Sequence, residues 1–254
     1  MSDRWQISGT RTSGCAAVGM ALFYIVLAYL SRYYSLDEYN DSWDEATYIL
    51  LGRGWLQGET LYVDIWDTKP PGIVWIAALV QVLFDNAVNG LRWLSMLSIG
   101  GTAYCIHRIG QHLFPKEPQL GVWAGIFYVF SISYVTFGFS LGRGTGMETN
   151  TEMFFIFFTC WGILRWLGDP EKLGRAFQGG LLLGIAFLIK YFVLFDMLAA
   201  GLLVVMLFWA RYPQDRKQWF QRVVRHGGVM ALGAVLPFGL LWGYYYFLSG
   251  NYDA

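Results

Sequence analysis

The chain has 254 residues, of which 56% are hydrophobic, 30 are glycine and only 14% are charged, with Lys+Arg and Asp+Glu balanced at 18 each. Soluble domains are ~25% charged and ~45–50% apolar with glycine included, so this balance excludes a disordered chain, a coiled coil and a nucleic-acid binder. It also argues against a soluble enzyme, since 12 Trp and 16 Tyr within a 19% aromatic content fit side chains at membrane interfaces.

Apolar runs fall near 15–31, 72–84, 91–107, 119–138, 153–164, 177–189, 191–210 and 227–248. A helix needs ~20 apolar residues (range ~17–25) to cross ~30 Å of hydrocarbon. Basic residues before the first run are sparse and no small-residue cleavage site precedes Arg32, so the N-terminus reads as uncleaved. Cys15, Cys105 and Cys160 lie in apolar runs, odd in number and widely spaced; they read as small buried hydrophobes, with neither a disulfide framework nor a zinc pattern. The three histidines, His107, His112 and His226, fall near the predicted inner face, away from the acids, and no metal site is expected from them.

The short run 72–84 decides topology. With the N-terminus cytoplasmic and 72–84 not crossing, Arg108, Lys116, Arg165, Lys172, Arg175 and the cluster from Arg211 to Arg225 all fall inside, as the positive-inside rule requires. If 72–84 crosses, those clusters move outside. The expected fold is therefore an all-α polytopic bundle of about seven transmembrane helices. Residues 72–84 lie in the outer interface, and the runs on either side of Lys190 form two helices meeting there. Acids then crowd outside, including Asp37, Glu38, Asp41, Asp44, Glu45, Asp64, Asp67, Glu148 and Glu152.

Residues 32–91 form the first outer loop, and loops this long are usually functional. Ser42-Trp43-Asp44-Glu45 is a capping box that starts a short amphipathic surface helix, with Glu45 reaching back to Ser42 and Gly54 or Gly58 ending it. Asp44 and Glu45 can simply serve that helix N-terminus. In Tyr62-Val63-Asp64-Ile65-Trp66-Asp67-Thr68-Lys69-Pro70-Pro71 the prolines force an extended approach and then allow a helix to begin. Lys69 can pair with Asp64 or Asp67, or hold a phosphate as a compact point charge, with Arg92 as a second cation. Asn150-Thr151-Glu152, with Arg143 and Glu148 before it, holds a carboxylate at the outer edge of the fourth span. Gly142-Arg143-Gly144-Thr145-Gly146 lacks the preceding strand that a dinucleotide fingerprint needs. Lys190, deep between apolar runs, either snorkels to the interface or serves a site.

Asp44-Glu45 with Tyr48, then Gly58, Tyr62, Asp64 and Lys69-Pro70-Pro71, and later Asn150-Thr151-Glu152, resembles the polyprenyl-phosphate-sugar-dependent membrane glycosyltransferases of the GT-C fold. The closest groups are the dolichyl-phosphate-mannose-protein mannosyltransferase-like enzymes, including lipopolysaccharide core galacturonosyltransferases and aminoarabinose transferases. The resemblance spans about residues 10–250. It implies Asp44 as the base or acceptor contact, Glu45 as the second acid of the pair, and Glu152 lining the same cavity. It implies Lys69 on the lipid phosphate, and Tyr62, Asp64, Asp67, Arg92, Arg143 and Lys190 are candidate further substrate contacts by their charge and place near these residues. Thr68 stands where some relatives carry an acid before the lysine. Relatives are longer, so residues 1–254 are expected to be their N-terminal module, with the site in loop 32–91.

The implied activity is transfer of a hexose or pentose, with inversion, from a polyprenyl-phosphate donor to a hydroxyl of a glycan, lipid or protein on the outer face of the inner (plasma) membrane. No organic cofactor is expected, and a divalent metal is left open. The alternative is a lipid-linked-substrate carrier, or an inactive or truncated assembly subunit of the same fold. Charges gathered at one face, instead of at mid-membrane broken helices, favour interfacial chemistry over transport.

Overall fold

The computed structural model of the chain describes residues 14–36, 43–139 and 150–249. Nine α-helices run through them: α1 Gly14–Arg32, α2 Trp43–Leu56, α3 Gly72–Leu83, α4 Ala87–Leu113, α5 Gln119–Phe139, α6 Asn150–Leu167, α7 Leu173–Ile189, α8 Val193–Arg211 and α9 Arg216–Ser249. Among the described residues the β structure is a single isolated bridge, Leu61 to Ile65.

Several helices outrun the apolar stretches that announce them. The Asn86 side chain accepts from the Asn89 N–H at 3.2 Å, so α4 starts four residues before its apolar run. Asp215 accepts from the Gln218 N–H at 2.8 Å, and α9 therefore takes in the basic stretch from Arg216 to His226. At the other end of α2, Gly58 adopts φ +93°, a left-handed position where glycine ends a helix without a Cβ clash.

The chain is a helical membrane protein. Gly14–Arg32, Val193–Arg211 and Arg216–Phe247 are long and apolar enough to cross a bilayer, and a fourth span is counted if α3 and α4 are taken together. The expected number of about seven is not reached on length and apolarity alone, because Gln119–Ser133, Phe154–Leu167 and Leu173–Ile189 are apolar but shorter. The axis turns by 115° between α3 and α4, so α3 does not continue the line of α4.

α4 packs on α1, α5 and α6, while α7 packs on α6 and α9. The α7–α9 contact is a backbone approach. A Cβ on Gly180 would lie 1.9 Å from the Met230 carbonyl oxygen, and one on Gly184 2.3 Å from that of Ala234. Small residues at such a seam let helices meet where lipid supplies no hydrophobic drive. Ahead of α7, Glu171 accepts from Arg211, Arg222 and the Tyr212 hydroxyl. This pins the α6–α7 turn to the α8–α9 turn, about 25 Å along α7 from its other end at Lys190.

The core that matters for function joins α2, the following loop, α3, α4, the head of α6 and the end of α7 through Tyr48, Leu51, Leu61, Ile73, Leu91, Phe154 and Ile189. Cys105 is buried, but Cys15 is exposed on the first turn of α1, contrary to expectation. An apolar run in a membrane helix faces lipid as readily as protein, so hydrophobicity did not specify burial there.

Candidate functional site

α2 does not show the expected amphipathic division, because it turns apolar side chains outward and a carboxylate inward. Glu45, Tyr48 and Leu51 are buried while Trp43 and Leu50 are exposed, so the helix presents one face to the bundle and one outward. Asp44 and Tyr48 are one turn apart and share a side of the helix. The loop after α2 brings Lys69 to both. Lys69 Nζ donates to Asp44 Oδ1 at 2.6 Å and sits 4.6 Å from the centre of the Tyr48 ring. The lysine was expected to pair with Asp64 or Asp67; its partner comes from the preceding helix. Burial works against its charge, but Asp44 and Tyr48 outweigh that, and its pKa lies above the ordinary 10.5. Burial chiefly pushes the Tyr48 hydroxyl up to about 12.

The loop around Lys69 is tied internally. The Tyr62 hydroxyl donates to the Lys69 carbonyl at 2.6 Å, and Tyr62 holds φ +72° to do so, an uncommon conformation for an aromatic residue. Asp67 Oδ1 accepts from the Lys69 N–H at 3.3 Å, and Asp64 accepts from the Thr60 N–H at 2.8 Å. Tyr62 and Asp67 thus contact the Lys69 backbone, and Asp64 closes its own turn.

Asp44, Tyr48, Lys69 and Pro70 line a cavity of about 70 Å³, completed by Ile189, Lys190 and Tyr191 from the α7–α8 break. Lys190 follows α7 in extended conformation, and its Nζ lies 5.7 Å from the Phe155 ring and 5.8 Å from the Phe192 ring. α3 reaches this break because Gly72 has no side chain; a Cβ there would stand 2.5 Å from the Leu188 carbonyl oxygen. A second, apolar cavity of about 300 Å³ is lined by Trp55, Trp75, Leu188, Pro237, Leu240, Leu241 and Tyr244, and its Leu188 directly precedes Ile189 of the charged one.

Glu45 and Arg92 are placed differently from Asp44 and Lys69. Arg92 donates from Nη2 to Glu45 Oε2 at 3.2 Å and from Nε to Oε1 at 3.4 Å. It also donates from Nη1 to the Ser35 carbonyl. Both side chains are buried, Arg92 at 0% and Glu45 at 2% exposure, and neither is among those lining the charged cavity. Glu152 stands on the first turn of α6, two residues before the core residue Phe154, and its side chain lies outside the described residues. Ser42, Arg143, Glu148 and the Gly142–Gly146 segment also lie outside them.

Tyr48, Tyr191 and the aromatic wall of the apolar cavity were not singled out from sequence as site residues. Tyr48 had a signal, since four residues separate it from Asp44 on a predicted helix. The wall residues come from α2, α3 and α9, and nothing local joins them. Among the described residues no group of three His, Cys, Asp or Glu could hold a metal ion. Asp67, the acid nearest Lys69 in the loop, already has an oxygen on the Lys69 N–H.

A family model described as dolichyl-phosphate-mannose-protein mannosyltransferase matches residues 68–242. Among curated proteins the chain is 28% identical over 159 residues to the lipid A galacturonosyltransferase RgtD of Rhizobium johnstonii. That alignment takes in 60% of this chain but only 29% of the relative, so the matched region spans under a third of the relative's length. No solved structure matches the chain.

Proposed function

The chain belongs to the dolichyl-phosphate-mannose-protein mannosyltransferase family, and from that premise we propose that it serves a membrane glycosyltransferase that moves a sugar from a polyprenyl-phosphate donor to an acceptor hydroxyl at the outer face. The observation that carries this reading is the charged cavity of Asp44, Lys69 and Lys190, with an apolar cavity that draws on the neighbouring residue of α7. A lipid phosphate needs both: cations for the head and an apolar wall for the first units of the chain.

In this mechanism the acceptor oxygen attacks the anomeric carbon while the bond from that carbon to the phosphate oxygen breaks. Polyprenyl phosphate leaves with the electron pair, and Lys69, with Lys190 across the cavity, stabilises the charge that develops on it. Fixed cations facing such charge are often the largest catalytic term. Asp44 takes the proton of the attacking hydroxyl. A single displacement inverts the anomeric centre. Arg143, before α6 in sequence, and Glu152, on its first turn, are further proposed contacts to donor or acceptor. Asp64, Asp67 and Tyr62 contribute through the loop that presents Lys69.

The proposed topology is about seven crossings with the N-terminus cytoplasmic, in the inner or plasma membrane. α4 supports it despite its modest hydropathy, because Arg92, Ser95, Thr102 and His107 are all buried and so do not face lipid. The basic clamp on Glu171 and the charged cavity stand at opposite ends of α7, which supports placing that cavity outside. The relative named for lipid A makes a lipid A or core-glycan hydroxyl the first acceptor to test.

The test supplies membranes containing the chain with a radiolabelled polyprenyl-phosphate sugar and follows label into acceptor lipids. Label transfer above that of membranes lacking the chain, abolished by Asp44→Asn, is the expected result. Equal transfer by wild type and Asp44→Asn would remove the mechanism.

A further inference from the structure

We infer that the buried Glu45–Arg92 pair is a positioning device that sets the direction of Asp44. The inference rests on the transferase reading above and adds a role for two residues that do not line the charged cavity.

α2 leans mainly on α3, through which Gln81 Nε2 also donates to the Ile49 carbonyl at 3.0 Å. Its contact with α4 is slight by comparison. The charged tie between α2 and α4 is the two-pronged hydrogen bonding of Arg92 to Glu45. The same guanidinium holds the carbonyl of Ser35, in the short turn Tyr33–Leu36 after α1. One side chain therefore fixes the end of the first span, the first turn of α2 and the head of α4 relative to one another.

The geometry of the pair dictates the rotation of α2. Successive helical residues are ~100° apart around the axis, so fixing Glu45 inward fixes where its neighbour Asp44 points. A guanidinium fork on a carboxylate allows essentially one planar arrangement, whereas an ammonium allows many. A buried ion pair is also a poor way to add stability, since well-packed apolar residues of similar volume often do as well or better. Orientation explains its presence where net stability does not. The tolerance is small, because a misplacement of ~1 Å at reacting atoms can reduce turnover by about 10²-fold.

The test uses the full chain with Glu45→Met and Arg92→Met together, which removes both charges without stranding either, alongside Arg92→Lys. Each is made in the wild-type and Asp44→Asn backgrounds. Turnover should fall by about tenfold or more in the Met pair and in Arg92→Lys, while the donor KM stays within about twofold. The thermal midpoint of the Met pair should match wild type. In the Asp44→Asn background neither change should lower the residual rate further, the non-additivity expected of residues acting through one group.

Turnover of the Met pair within about threefold of wild type, or an equal loss in both backgrounds, would overturn the proposal. If Asp44→Asn itself keeps wild-type turnover, the base assignment falls and the positioning role falls with it. If Asp44→Asn is inactive and the Met pair is active, only the positioning role is lost.

Discussion

Asp44 and Lys69, 25 residues apart in sequence, meet in a hydrogen bond of 2.6 Å with the ammonium over the Tyr48 ring, so the proposed base and the proposed phosphate ligand neutralise each other before a donor arrives. A phosphate entering the cavity competes with Asp44 for the ammonium. Its arrival would release the carboxylate toward an acceptor hydroxyl. Asp44→Asn therefore separates binding from chemistry. Turnover should drop by about 10²–10⁴-fold, the range for losing a positioned base, while donor KM stays level or falls because Lys69 no longer has an anionic partner. A steady-state series in donor concentration checks both numbers.

Lys69→Ala should act on both steps. Loss of a fixed charge facing the leaving group reduces turnover by about 10²–10³-fold, and donor KM should rise. Lys69→Arg should recover only part of this, since a planar fork does not reproduce a point charge over the Tyr48 ring. Full recovery by arginine would place the phosphate elsewhere.

The pH behaviour follows from the same contact. The Lys69 ammonium is held above its ordinary 10.5, burial opposing and Asp44 with Tyr48 prevailing. A group raised on folding contributes stability fully below its ordinary value and loses it as pH rises through the raised one. Donor binding should thus stay level from about pH 7 to about pH 9 on the Lys69 side. A titration of donor binding at fixed ionic strength checks this. A wild-type midpoint inside that window that disappears in Lys69→Arg would contradict the assignment.

Removing one member of the buried pair has a different signature from removing both. Arg92→Ala leaves the Glu45 carboxylate in a site where it is 2% exposed. Such an uncompensated charge costs about 3–5 kcal/mol. Thermal unfolding in detergent should show a large loss for Arg92→Ala and none for the paired Met variant.

Gly72 tests the meeting of α3 with the end of α7. Its substitution by alanine puts a Cβ 2.5 Å from the Leu188 carbonyl oxygen, and both contacting groups are backbone, so one helix must move. Lys69 and Lys190 flank this contact, one beside each of the two segments that meet there. Gly72→Ala should lower turnover by about tenfold or more while the protein still inserts. Unchanged turnover would mean the two lysines need not keep their spacing.

Much of this architecture was legible in the sequence for identifiable reasons. Of the two glycines offered as the end of α2, Gly54 lies inside the helix and Gly58 takes the left-handed position after it, and Pro70-Pro71 announced the start of α3 at Gly72. The break at Lys190 was marked by one charge between two apolar runs. Depth was not legible. Charge patterning put Glu45 beside Asp44 and Arg92 near Lys69 without saying that Glu45 with Arg92 and Asp44 with Lys69 would be sorted into a buried and a partly exposed contact. That sorting depends on which side of α2 faces α4, which is a tertiary fact. The apolar cavity was hidden for the same reason, its wall being drawn from α2, α3, α7 and α9.

The measurement that reaches the central claim most directly is single-turnover transfer at saturating donor, with donor occupancy measured on the same membranes, for wild type and Asp44→Asn. The account predicts that both forms bind the polyprenyl-phosphate sugar and that only wild type passes the sugar on. Transfer by Asp44→Asn at the wild-type rate would contradict it.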